Sequence, residues 1–159
     1  MSQPGRSQSV NNIKRGEYYI VPVSNPNLAW EVDQEGVAAG DELHLSELSK
    51  SLNQRFFIEY QPEFCSYLIT CETCGFVIEC KDALKDEGNT IRQWLIEPKD
   101  EQSWLIYRYN TSEEGKYNYA FKNYGTGNFA RVKDDVIENG RKIVMSTQTN
   151  LQSELFTLI

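Results

Sequence analysis

Histidine occurs once in the 159 residues, as His44, and no Ser, Cys or carboxylate pair is spaced as a nucleophile with its base. Nucleophilic and acid–base catalysis are therefore not expected, and the chain reads as a binding protein rather than an enzyme. No run approaches the ~20 apolar residues of a membrane span. The opening MSQPGRSQSVNNIKR has no apolar h-region, so no secretory signal is read. The expected location is cytoplasmic, with release only by an unconventional route. Basic residues are in deficit, 16 against 23 acidic, for a net charge of −7. Such a surface repels phosphate, which argues against nucleic acid and against insertion into anionic membrane.

Cysteine is scarce and confined to one stretch, as Cys65, Cys71, Cys74 and Cys80. Cys71-Glu-Thr-Cys74 has zinc-ligand spacing. With 65–71 and 74–80 as strands, however, six residues at ~3.3 Å each set the outer pair about 20 Å from the inner pair. Four thiolates so arranged do not share one ion, and the expectation is reduced core and turn thiols, with no metal and no cofactor. A Cys65–Cys80 or Cys71–Cys74 disulfide stays open at this point. The length suits one domain that buries roughly 70% of its unfolded surface without a staple. Residues 1–14 read as a flexible polar tail that buries nothing, and 15–159 as the domain.

What the chain does have is a threefold repeat. Sixteen positions separate Gly40 from Phe56, Gly88 from Trp104 and Gly140 from Phe156. Tyr19, Tyr67 and Tyr119 each precede their glycine by twenty-one. Three gapless blocks result, 19–56, 67–104 and 119–156, within repeats of about 16–60, 61–109 and 110–159. Each block reads as four strands. They are 16–23, 28–32, 42–45 and 55–60, then 67–71, 76–80, 89–96 and 104–109, and finally 117–122, 128–132, 143–146 and 155–159. Turns are expected at Ser24–Asn27, Thr73–Gly75 and Tyr124–Gly127. The recurring glycine suggests positive φ or a close backbone approach. Asp82-Ala-Leu-Lys-Asp86 has a helical look that the repeat overrules. Twelve strands closed into an all-β barrel leave no long exposed edge. Phe56, Trp104 and Phe156 are expected in its core, with Val32, Cys80 and Val132, and with Leu43, Ile91 and Ile143.

Gln102-Ser-Trp104 matches the Q-x-W motif of ricin-B-type lectins, with Gln54-Arg-Phe56 an aromatic variant and Glu154-Leu-Phe156 a decayed copy. The chain from residue 16 onward resembles the single-domain fungal members of that family. The resemblance implies a β-trefoil, a six-hairpin barrel with pseudo-threefold symmetry. It also implies shallow sugar sites, one per repeat, each with an Asp nine residues before the glycine. Glu31, Glu79 and Arg131 stand there in this sequence. The aromatic platform six residues after the glycine is Trp94 in the second repeat, against Ser46 and Ser146. Four after the glycine stand His44, Arg92 and Val144. The candidate carbohydrate-binding residues are therefore Glu79, Arg92, Trp94, Glu101 and Gln102 in repeat two, and Glu31, His44, Asn53 and Gln54 in repeat one. Repeat three is expected to be without a site.

The implied partner is a glycan or glycoprotein, bound through hydroxyl hydrogen bonds and C–H contact with an aromatic face. The alternative is a β-trefoil protease inhibitor, directed at cysteine or serine proteases. It would act through loops such as Ser24–Asn27, stiffened by Pro26, or Asn110–Lys116. Homodimerisation is left open.

Overall fold

The computed structural model describes residues 8–33, 37–148 and 151–159. Its strands, in chain order, are β1 (Gln8–Ser9), β2 (Gly16–Tyr18), β3 (Ile20–Pro22), β4 (Leu28–Val32), β5 (Leu43–Glu47), β6 (Phe56–Gln61) and β7 (Ser66–Cys71). They continue with β8 (Val77–Cys80), β9 (Ile91–Trp94), β10 (Trp104–Asn110), β11 (Tyr117–Asn123), β12 (Phe129–Val132), β13 (Ile143–Ser146) and β14 (Phe156–Leu158). The sole helical turn of α type among the described residues is Leu151–Glu154.

Pairing runs β2–β6–β7–β10–β11–β14–β3. Because β2 and β3 are one stretch of chain broken at Tyr19, this ring closes on itself as a six-stranded barrel. Tyr19 exchanges backbone hydrogen bonds with Ile159 at 2.9 and 3.0 Å, so the strand expected over 16–23 turns from one neighbour to the other there. Six of the remaining strands form three hairpins, β4–β5, β8–β9 and β12–β13, across one end of the barrel, and β1 pairs with β10. The chain is a β-trefoil.

The repeat glycines hold the three hairpins together. Gly40, Gly88 and Gly140 all have positive φ, of 96°, 84° and 85°. In that conformation Gly40 N–H donates to the Gln93 carbonyl, Gly88 to Met145 and Gly140 to Leu45, each at 2.8 Å. Each repeat thus hands one bond to the next, and the third hands one to the first. The return bonds from Gln93 to Asp41, Met145 to Asn89 and Leu45 to Arg141 complete the junctions. A side chain at these glycines would resist left-handed backbone, which is why glycine recurs.

The core aromatics Phe56, Trp104 and Phe156 are fully buried, as are Val32, Cys80 and Val132, and Leu43, Ile91 and Ile143 within 1%. Symmetry is broken by size. Trp30, Ile78 and Ala130 occupy one equivalent layer, and the Trp30 indole spans it to meet Phe121 and Phe156 at 4.9 and 5.2 Å. A large, a medium and a small residue share the volume that three equal ones would otherwise fill.

Two sequence expectations are corrected. Residues 8–14 are not a tail that buries nothing. Gln8 and Ser9 pair with Arg108 and Tyr107, Val10 N–H donates to Ile106, and Ile13 packs against the core. The reason is an open edge: β10 meets β7 in register only at Trp104, so its outer half has free backbone groups that the N-terminal segment satisfies. Residues 1–7 lie outside the described residues, as do 34–36 of the loop expected at 33–39. Second, Lys81–Ala83 does form a short helical turn, and so does its repeat mate Lys133–Asp135. Both are bent by left-handed residues, Asp82 and Ala83 in one, Asp134 and Asp135 in the other. The repeat therefore contains this turn instead of overruling it. All four thiols are free; Cys71 and Cys80 are buried, Cys65 and Cys74 exposed.

Candidate functional site

In each hairpin the two positions singled out by the sequence face each other across the ladder. Glu79 pairs with Arg92, Glu31 with His44 and Arg131 with Val144. Register alone brings each acid to its partner, since directly opposed side chains on one sheet face are in contact range.

Repeat two carries the denser arrangement. Glu79 has no exposed surface, and every oxygen is used. Arg92 Nε donates to Oε2 at 2.8 Å, while Gln102 Nε2 donates to Oε1 at 2.9 Å. Lys99 Nζ sits 3.0 Å from Oε1. Gln102, also buried, donates to the Leu95 carbonyl and accepts from Glu97 N–H, both at 2.8 Å. The motif glutamine is thus a clamp between loop and strand. In repeat one Gln54 does the same, donating to the Glu47 carbonyl at 2.7 Å and accepting from Ser49 N–H at 2.9 Å. Both glutamines are buried, with their amides engaged by protein groups.

Around the buried carboxylate stands a rim in which Arg92 is nearly buried and the other side chains are partly exposed. The Arg92 guanidinium stacks 4.0 Å above the half-buried Trp94 ring, and its Nη2 is 3.5 Å from Asp82 Oδ1. Trp94 Nε1 donates to Glu97 Oε1 at 3.1 Å, and Lys99 Nζ lies 3.5 Å from the same oxygen. Burial works against the Lys99 ammonium, but Glu79 and then Glu97 outweigh it and raise its pKa. The Glu101 carboxylate adds to the field on Lys99. The Glu101 backbone carbonyl accepts from Asn123 Nδ2 at 2.9 Å.

Asp82, Glu97 and Lys99 were not singled out by the sequence. Asp82 is three residues past the acid, on the bent turn, where its left-handed backbone turns it back toward Arg92. Glu97 and Lys99 lie in the charged run just before the Q-x-W motif, a signal that spacing from the glycine passes over.

Repeat one brings Glu31, His44 and Gln54 together, with Ser46 at the position of Trp94. Gln54 Nε2 donates to Glu31 Oε2 at 2.8 Å, and His44 Nε2 lies 3.6 Å from Oε1. Asp33 Oδ1 approaches His44 Nδ1 at 2.5 Å without hydrogen-bond alignment. Burial raises the Asp33 pKa, and the neighbouring imidazole opposes that rise. Asn53 is turned inward, donating to the Val32 carbonyl at 3.0 Å. In repeat three the polarity is inverted: Arg131 stands at the acid's position and bonds Asp135, Ser146 and Ser153.

No family model matches the chain, and no curated protein matches it. Among solved structures, it is similar to the designed threefold-symmetric protein ThreeFoil, with a TM-score of 0.78 at 15% identity over 90% of this chain and 97% of that one. It is also similar to the Macrolepiota procera ricin B-like lectin in complex with lactose, at 0.70 and 11% over 99% and 97%. A mosquitocidal holotoxin gives 0.80 and 19%, over 94% of this chain and 18% of that one. At these identities the likeness establishes the β-trefoil fold.

Proposed function

We propose that the chain binds a glycan, without catalysis, through the rim of repeat two. The observation that carries this reading is Trp94. It is a half-buried indole at a strand end, with the Arg92 guanidinium over one ring face, Glu97 at Nε1, and Asp82 and Lys99 beyond them, so a sugar would meet its uncovered part. Sugars ask for this combination, an apolar ring face beside alternating donors and acceptors. Glu79 contributes from behind. Its buried charge pins Arg92 and Lys99, so their remaining N–H groups meet a ligand with little conformational freedom left to lose. The fold shared with a lactose-bound lectin supports the reading as analogy. Repeat one, with Glu31, Asp33 and His44, offers hydrogen bonds but no stacking surface.

The test is a glycan array with wild-type protein and Trp94→Ala. Binding that falls at least about tenfold in the variant supports a site in repeat two. Binding untouched by the substitution rejects that placement, and a blank array with folded protein rejects the glycan reading.

A further inference from the structure

Beside the rim, and separated from it only by residues 97–99, runs a groove of about 400 Å³. Its floor and walls are Phe64, Leu68, Ile96 and Pro98. This volume is that of a small-ligand pocket. Glu97 and Lys99 belong to both places. Their polar atoms meet Trp94 and Glu79, while the same residues form one wall of the groove.

The repeats supply an internal control. Leu68 corresponds to Ile20 and Ala120, which are fully covered, yet Leu68 is only half-buried. The exposed pair Leu95–Ile96 corresponds to Glu47–Leu48 and Thr147–Gln148. Repeat three, polar at both positions, shows that the trefoil does not require an open apolar surface here. Phe64 is set out at the tip of the β6–β7 hairpin, 58% exposed, with the next residue, Cys65, in left-handed backbone at φ 50°. A non-glycine residue in that conformation at an exposed aromatic tip shows the hairpin held in a less favourable shape.

We infer that this groove receives the apolar aglycone, alkyl or aryl, of a glycoside whose sugar lies on the Trp94 rim. The inference rests on the glycan reading above. The occupant follows from adjacency: a polar rim and an apolar trough lie on either side of the 97–99 wall, so one amphipathic ligand crossing that wall reaches both.

The experiment is calorimetric titration with the methyl and n-hexyl glycosides of the sugar selected on the array. It uses wild-type protein, Ile96→Asp, Phe64→Ser and Trp94→Ala. Ile96 and Phe64 are 65% and 58% exposed, so the folded state survives both changes. The hexyl glycoside is expected to bind at least about tenfold tighter than the methyl, the worth of roughly two buried methylenes. Ile96→Asp or Phe64→Ser should remove that difference and leave the methyl Kd unchanged. A wild-type ratio near one overturns the inference while leaving the glycan reading intact. So does a ratio preserved in both groove variants. Hexyl binding that survives Trp94→Ala but not Ile96→Asp overturns the linkage of groove to rim. A concentration-dependent dimer dissociated by Ile96→Asp would make the groove a contact between copies instead. If neither glycoside binds, the glycan reading falls and the inference with it.

Discussion

Gln102 donates through Nε2 to the Glu79 carboxylate at 2.9 Å, with both side chains sealed from solvent. The bond joins the motif that precedes the fourth strand of the repeat to the acid on the second. It makes the glutamine a structural support for the rim and not a part of it.

Gln102→Leu should therefore cost stability. It would strip one donor from a fully buried carboxylate and orphan Glu97 N–H and the Leu95 carbonyl. Leaving the buried carboxylate short of a donor costs about 1–3 kcal/mol, while the Glu97 and Leu95 backbone groups belong to exposed residues that water reaches, so a loss of about 2 kcal/mol is expected in urea unfolding. A loss under about 1 kcal/mol would show that the clamp is not the anchor described.

Two glycines should respond differently to alanine. Gly88 has φ 84° and open space where a Cβ would go, so Gly88→Ala carries only the left-handed backbone cost of about 1–2 kcal/mol. At Gly125 a Cβ would fall 2.8 Å from Glu101 N and 2.9 Å from Asp100 C, both backbone atoms beside the Gln102 clamp. Gly125→Ala should be the more damaging of the two in paired melts. Equal effects would contradict the contact.

Stability should fall in alkali through Cys80. Burial is the main cause that pushes its thiol up to about 11, from 9.0 in the open chain. A raised folded pKa means the folded state holds the proton longer than the unfolded state. The stabilisation is complete below pH 9 and is lost as pH rises from 9 through 11. The loss is on the order of 2 kcal/mol at the top of that range. Val32 and Val132 fill the equivalent positions, so Cys80→Val should keep the fold and flatten this part of the pH profile. Tyrosines that titrate nearby remain in both proteins, so the difference between wild-type and variant urea curves at pH 8 and 10.5 isolates Cys80.

Thiol chemistry gives a quicker check on the packing. Cys65 and Cys74 are exposed and should react with Ellman's reagent within minutes, whereas Cys71 and Cys80 should wait for denaturant. Four fast thiols would show that the second repeat is open in solution.

The sequence by itself determined a threefold all-β barrel, because a gapless threefold spacing constrains backbone geometry directly, and the Q-x-W resemblance implied that this barrel is a trefoil. Glycine at 40, 88 and 140 is demanded by left-handed φ, and aromatics at 56, 104 and 156 by one shared core. Such local rules repeat in register with the chain and are readable along it. The rim was only half legible for the opposite reason. Glu79, Arg92 and Trp94 lie on one hairpin, so spacing finds them. Asp82 comes from a bent turn that recurs at 133–135 but whose reach to Arg92 the spacing does not show, and Glu97 and Lys99 come from a loop whose path no periodicity encodes. Burial, too, is a property of the assembled barrel. Only the tertiary structure decided that Gln54, Gln102 and Glu79 sit behind the surface they support. It alone decided that residues 8–13 fill the free edge of β10, because an unpaired strand edge exists only once the other strands are in place.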